Sequence, residues 1–188
     1  MKMKIGLALC GSFCTFGRVM EEAERLAEEF DITPIMSENA AFTDTRFGRA
    51  EEMRARLEAI TGKKPIVSIT EAEPIGPKGC FDVLVIAPCT GNTLAKLACG
   101  VTDTAVTMAA KSHLRNGRPV VIAPSTNDGL AASAGNIGTL LARRNIYFVP
   151  FSQDAPEKKP RSLSSDFSKL RETILAAAAG KQIQPMIE

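Results

Sequence analysis

Tryptophan is absent from this 188-residue chain, and tyrosine and histidine occur once each, as Tyr147 and His113. With one imidazole and five cysteines (Cys10, Cys14, Cys80, Cys89, Cys99) that include no Cys-x-x-Cys pair, a zinc centre lacks its usual donors. No metal is therefore expected. No apolar run reaches the ~18 residues of a membrane-spanning helix, and the opening Met-Lys-Met-Lys-Ile-Gly turns apolar too soon for a signal peptide. The odd count of thiols fits a reducing compartment, so a cytoplasmic protein is expected. A charge excess is missing too. Lys and Arg number 23 against 21 Asp and Glu, a net +2, and binding to nucleic acid would call for a clustered basic face. Small molecules and other proteins remain as partners.

What the chain does have is a 45% hydrophobic composition, enough for one domain over residues 1–188 with a sizeable core. The stretch from Val83 to Gly100 organises it. Val83 to Ala87 read as a strand buried on both faces, with Pro88 expected to halt it. Cys89-Thr90-Gly91-Asn92-Thr93 form a small polar turn, and Leu94, Ala95, Leu97 and Ala98 resume at helical spacing before Gly100 stops the helix. A strand that feeds a helix N-terminus aims unpaired amides and the positive end of the helix dipole at one point, which favours an anion or an electron-rich ring edge. Pro119 to Ala123, Pro124 and Ser125-Thr126-Asn127-Asp128-Gly129 echo the pattern. If the two strands are neighbours, Asn92 and Asn127 share the carboxyl rim of a parallel sheet, where such folds bind ligands. Each loop alone is equally what an ordinary turn looks like.

The remaining segments alternate in the same way. Lys4–Leu9 predicts a first strand, Cys10–Thr15 a Gly-Ser loop, and the next helix carries Val19, Met20, Ala23, Leu26 and Phe30 on one face. The loop lacks a G-x-G-x-x-G fingerprint. Ile32–Met36 predicts a strand that ends at Ser37, whose hydroxyl could reach the same anion as Gly11 and Ser12. Thr43–Phe47 reads as a surface loop, Arg49–Ile60 as a helix, Ile66–Ile69 as a short strand, and Glu71–Gly79, rich in Pro and Gly, as a loop. Asp103 is the expected N-cap of a helix to Arg115. On the border of that helix's apolar face, His113 reads as a packing or surface residue, since no orienting partner for a base lies nearby in sequence. A strand at Val120–Ala123, a helix around Ile137, Leu140 and Leu141, a strand at Tyr147–Val149 and a last helix with Phe167, Leu170 and Ile174 complete the chain. Residues 151–166, with Lys158, Lys159 and Arg161, read as a flap or a solvated linker. Strands alternating with helices predict a three-layer α/β/α, doubly wound, Rossmann-like parallel sheet.

Ala87-Pro88-Cys89-Thr90-Gly91-Asn92-Thr93 resembles the Pro-Ala-Ser-Ala-Asn-Thr box of the flavoprotein family. These are FMN-binding, oligomeric α/β proteins that include phosphopantothenoylcysteine decarboxylases and flavin prenyltransferases. Gly11, Ser12 and Ser37 fall where that family's phosphate-binding residues lie. The second box of the cysteine decarboxylases, Pro-x-Met-Asn-x-x-Met-Trp, is matched at Pro124 and Asn127 but carries Thr126, Leu130 and Ala131 in place of Met, Met and Trp; the first helix, Phe16 to Glu29, also lacks their histidine. A resemblance over nearly the whole chain is to the B-subunit family of dipicolinate synthases from endospore-forming bacteria. It rests on Cys10–Thr15, Thr43–Gly48, Glu71–Lys78, Met108–Lys111, Arg115–Pro119, Ser125–Asp128 and Asn145–Phe151.

That resemblance implies oxidation of dihydrodipicolinate to dipicolinate during sporulation, in the mother cell, together with an A subunit that carries NADP. It also implies a homo-oligomer. Bound FMN would have its phosphate at Gly11, Ser12 and Ser37, and its ring among Pro88, Thr90, Asn92, Thr93 and Asn127. The substrate is a dicarboxylate, for which Arg46, Lys158, Lys159 and Arg161 are the candidate cations. No residue is singled out for proton transfer, and Cys10 and Cys89 read as packing residues. A free-standing FMN decarboxylase or prenyltransferase, and a non-catalytic structural subunit, are the alternatives.

Overall fold

The structure, a computed structural model, describes residues 2–188. Five strands pair in parallel in the order β2-β1-β3-β4-β5: β1 (Lys4–Leu9), β2 (Asp31–Met36), β3 (Val83–Cys89), β4 (Val120–Thr126) and β5 (Ile146–Phe148). After β5, two short strands, β6 (Phe151–Ser152) and β7 (Leu163–Ser165), add antiparallel pairing, with β7 lying against the tip of β4 at Ser125 and Thr126. From β1 the chain leaves toward β2 on one side, and β3 begins the opposite run on the other. The order therefore reverses between β1 and β3, and the loops that follow these two strands diverge there and open a crevice.

Alternate strand residues face two separate cores. On one side Leu7, Val85 and Val121 pack with Val19, Met20 and Ala23 of α1 (Phe16–Glu29) and with Leu170 and Ile174 of the last helix (Leu170–Ala178). On the other side Leu84, Ile86 and Ile122 meet residues from three later helices. Those contacts are Leu94 of Gly91–Cys99, Val106 and Ala109 of Ala105–Leu114, and Leu140 of Ala134–Leu141. Each such Val, Leu, Ile or Met side chain contributes about 1.5–3 kcal/mol by leaving water, and this burial on both faces holds the three expected layers together. In chain order, α2 (Glu38–Phe42), α3 (Ala50–Thr61), α4 (Ile69–Ala72) and α5 (Ile75–Lys78) lie between β2 and β3. The three later helices named above are α6, α7 and α8, and Leu170–Ala178 is α9.

Four local expectations are corrected. Pro88 and Pro124 do not halt their strands, since β3 runs on to Cys89 and β4 to Thr126. The β3–β4 register shifts between Ile86 and Cys89, and the Ala87–Pro88 peptide is cis. At such an irregularity a missing donor leaves no ladder bond broken, and the proline carbonyls are still used. That of Pro88 accepts from the Cys10 amide at 3.1 Å, and that of Pro124 accepts from the Ser165 hydroxyl at 3.1 Å. Instead of a strand at Ile66–Ile69, Ile66 alone bridges Ile35, and the chain turns into α4 at Ser68. There the Ser68 hydroxyl and the Glu71 carboxylate form a reciprocal capping box, which satisfies first-turn amides. The Pro/Gly-rich Glu71–Gly79 is helical in part, because Pro74 sits at the start of α5 and Gly79, at φ 58°, ends it. Asp103 is not the cap of α7. Thr104 caps it by accepting from the Thr107 amide, while Asp103 pairs with Lys96 at 2.8 Å.

Candidate cofactor site

Two contiguous clefts open at the carboxyl rim of the sheet, where the order reverses. The larger, about 550 Å³, draws on the loop after β1 (Gly11 to Cys14), the loop before α3 (Arg46, Phe47), the start of α6 (Thr90 to Asn92), the tip of β4 (Ser125 to Asp128) and Lys159. The smaller, about 230 Å³, is bounded by Gly11, Ser37, Glu38, Asn39, Thr90, Asn92, Thr93, Lys96 and Thr104. They meet at Gly11, Thr90 and Asn92. Ligand pockets typically span about 300–1,000 Å³, so together they suit a molecule in two parts.

Local sequence explains how each donor is held. The hydroxyl of Thr90 caps α6, accepting from the Thr93 amide at 3.3 Å, and Gly100 ends the same helix in the left-handed region at φ 73°. First-turn amides of a helix have no acceptor inside it, and those of α6 begin at Gly91, on the wall of the larger cleft. Gly91 also permits a close approach. A Cβ there would lie 2.6 Å from the Ser133 hydroxyl and 2.8 Å from both Asp128 Oδ1 and Thr126 Oγ1. Those three atoms form one network, in which Asp128 Oδ1 accepts from Thr126 at 2.5 Å and from Ser133 at 2.9 Å. The helix start and the β4 loop are thus locked together. A further link joins β1 to β4, since the hydroxyls of Ser12 and Ser125 share a hydrogen bond of 2.8 Å.

Among the residues singled out from sequence, the structure brings Asn92 and Asn127 to one cleft, together with Gly11, Ser12, Thr90, Arg46 and Lys159. Ser37 and Thr93 stand on the smaller cleft instead, so Ser12 and Ser37 face neighbouring spaces that Gly11 connects. The Ser37 hydroxyl accepts from the Ala40 amide at 3.3 Å, capping α2. Pro88 is buried within β3 and lines neither cleft, and Lys158 and Arg161 are exposed outside both. Lys159 is paired with Asp154 at 3.5 Å, and the Arg46 guanidinium sits 4.8 Å from the Phe47 ring centroid.

Sequence reasoning passed over Phe13, Cys14, Phe47, Asn39 and Asp128 as lining residues. Asp128 carried a signal inside the Ser-Thr-Asn-Asp-Gly turn, and Phe13, Cys14 and Phe47 lie within the Cys10–Thr15 and Thr43–Gly48 segments that carried the resemblance; Asn39 carried none. Behind the site, Cys10 and Cys89 are buried side by side in the second core. A hydrogen bond from Cys89, with another from Thr93 at 3.3 Å, lowers the Cys10 thiol against the effect of burial, while burial first and Cys10 second push Cys89 well up. His113 lies on α7, away from both clefts. Among the described residues no three His, Cys, Asp or Glu side chains cluster as a metal site would require, and no helix is long and apolar enough to cross a membrane.

The sequence profile described as Flavoprotein matches residues 1–153. The chain belongs to the flavoprotein family. The dipicolinate synthase B subunit of Bacillus subtilis (strain 168) is 44% identical over 185 residues, which is 98% of this chain and 92% of that protein. The crystal structure of the corresponding B subunit from Bacillus halodurans superposes with a TM-score of 0.91 at 44% identity, covering 100% of this chain and 98% of the other. The FMN-dependent cysteine decarboxylase SpaF superposes at 0.67 with 25% identity, covering 94% and 97%. The expected fold is therefore the observed one, with the antiparallel β6–β7 pair as the departure from a purely parallel sheet.

Within this family member the donor set fits FMN. The Ser37 hydroxyl, which accepts from Ala40 and keeps its own proton to donate, and the first-turn amides at the start of α6 suit a phosphate. Amide side chains and the Phe13 and Phe47 rings suit a flat heterocycle with polar edges.

Proposed function

We propose that this flavoprotein-family chain is the B subunit of a dipicolinate synthase. In this reading it holds FMN in the paired clefts and acts with an NADP-bearing A subunit to oxidise dihydrodipicolinate to dipicolinate during sporulation. The observation that carries the reading is the meeting of four loops, after β1, β2, β3 and β4, in one connected space where the strand order reverses. The end-to-end likeness to the dipicolinate synthase B subunit of Bacillus subtilis supports the choice of reaction.

Gly11, Ser37 and the first-turn amides of α6, which Thr90 and Thr93 hold in place, bind the phosphate in the smaller cleft, and Ser12, Asn92 and Asn127 orient the ring in the larger one. Bound there, FMN would supply a two-electron carrier between the substrate and the NADP of the A subunit. The substrate is a planar dianion, for which a rigid guanidinium is the better-matched cation. Arg46, held over Phe47, takes one carboxylate, and Lys159 takes the other from the facing segment. Of residues 151–166, both ends are anchored as β6 and β7, and the segment between them acts as the flap, with Lys158 and Arg161 exposed on it. Homo-oligomeric assembly belongs to the same reading.

Absorbance and titration test the cofactor directly. The purified chain should carry, or take up, about one FMN per copy, and a chain that neither shows flavin absorbance nor binds added FMN removes this part. Mixing experiments test the reaction. Conversion of dihydrodipicolinate should need both subunits, and an A subunit that is as fast alone as with this chain removes the catalytic role.

A further inference from the structure

The oxidation proposed above leaves one question of chemistry open, which is where the proton goes. Aromatisation of the dihydropyridine ring breaks two bonds to hydrogen. One hydrogen leaves with its electron pair as hydride, and those electrons end on the oxidised nicotinamide of the A subunit; the other leaves as a proton while its electrons close the aromatic ring. A base must lie within about 2.6–3.2 Å of that second hydrogen, or one water away.

The residues that line the larger cleft include a single carboxylate, Asp128. Its two oxygens differ. Oδ1 accepts from the hydroxyls of Thr126 and Ser133 at 2.5 and 2.9 Å, which fixes the plane of the carboxylate. The same oxygen abuts Gly91, where no side chain intervenes. Oδ2 has no hydrogen-bond donor among the described residues, so a lone pair is left uncommitted on a side chain that forms part of the cleft wall. Its backbone is held as well, because the Asp128 carbonyl accepts from the amides of Ala131 and Ser133. A carboxylate clamped through one oxygen and free at the other is the geometry of a positioned base. Other ionisable groups on that wall suit the role less well. Arg46 and Lys159 are cations with no lone pair to offer at neutral pH, and Cys14 is exposed with no orienting partner.

We propose that Asp128 is the proton acceptor of the reaction, taking the ring proton on Oδ2 while the hydride leaves for the two-electron acceptor. This rests on the dipicolinate synthase reading. The two cations and the carboxylate then divide the work, with Arg46 and Lys159 binding the dianion and Asp128 standing as the one carboxylate among the residues that line the larger cleft. Its negative charge opposes substrate binding, so neutralising it should not weaken affinity.

The test is Asp128→Asn, because the amide oxygen can still accept from Thr126 and Ser133. General-base contributions typically reach about 10²–10⁴-fold, so kcat with the A subunit should fall at least ~100-fold. KM should stay level or fall, and binding of dipicolinate, read by calorimetry without turnover, should stay level or tighten. Asp128→Glu should recover part of the rate. Ser133→Ala, which removes one clamp and lines neither of the two clefts, separates chemistry from bracing and should lose no more than about tenfold. An Asp128→Asn enzyme within a few-fold of wild type overturns the assignment, as does a Ser133→Ala loss equal to that of Asp128→Asn. A wild-type mixture that forms no dipicolinate overturns the parent reading as well, whereas an active wild type with an unaffected Asp128→Asn overturns this inference alone.

Discussion

His113 is the only histidine of the chain, and it makes the acid stability of the fold measurable at one residue. It is 2% exposed on α7, with the Phe81 ring centroid 6.4 Å away and Nε2 without a hydrogen-bond partner. Burial lowers its pKa from 6.5 to about 4, helped by the Arg118 charge and opposed by the Pro119 carbonyl and Asp82. The folded protein therefore prefers the neutral ring, and the unfolded chain takes up the proton first. Stability from this source is complete above the unfolded value of about 6.5 and drains away as pH falls toward 4. The full effect is about 3 kcal/mol, at ~1.4 kcal/mol per tenfold change in proton affinity, and about 1.4 kcal/mol of it is gone by pH 5.5. With a urea slope of about 2 kcal/mol per molar, the midpoint should drop by roughly 0.7 M between pH 7.5 and 5.5. His113→Leu should be nearly flat over that interval, since carboxylates titrate mainly below it. Parallel pH curves for the two proteins would refute the reasoning, and so would a folded-state imidazole proton resonance that titrates near 6.5.

Gly91→Ala tests the junction between the two rim loops. Its methyl group would press on the Ser133, Asp128 and Thr126 oxygens, and overpacking of about 1–3 kcal/mol should outweigh the helix-propensity gain of up to about 1 kcal/mol. A lower urea midpoint and weakened FMN uptake are expected; a higher midpoint would show that the loops are not locked there. Arg46→Ala should cut turnover by roughly 10–100-fold, the scale of a charged hydrogen bond worth about 1–3 kcal/mol. The melting temperature should not change, because Arg46 is exposed and rests only on Phe47. Unchanged kinetics with the A subunit present would remove it from substrate binding.

Periodicity alone was sufficient for most elements. The α1 face of Val19, Met20, Ala23 and Leu26 is legible because water separates apolar from polar side chains at helical spacing. The apolar runs of β1, β3 and β4 declare strands buried on both faces for the same reason. Errors fell where a local signal met a tertiary one. Pro88 and Pro124 read as stops, and pairing at an irregular register let the strands run through them. Ser68 and Thr104 captured their helix starts through reciprocal caps with Glu71 and Thr107, which spacing alone did not weigh.

By itself the sequence determined the layers, the loops that end in Gly11-Ser12, Thr90-Gly91-Asn92 and Asn127, and the family to which the chain belongs. Only the tertiary structure decided that Arg46 and Lys159, 113 positions apart, stand on one cleft while Lys158 and Arg161 do not. It also decided that Asp128 turns one oxygen inward to Thr126 and Ser133 and leaves the other uncommitted. The physical reason is that hydrophobic pattern depends on neighbours along the chain, whereas a site is assembled by strand order and loop closure between residues that sequence distance keeps apart.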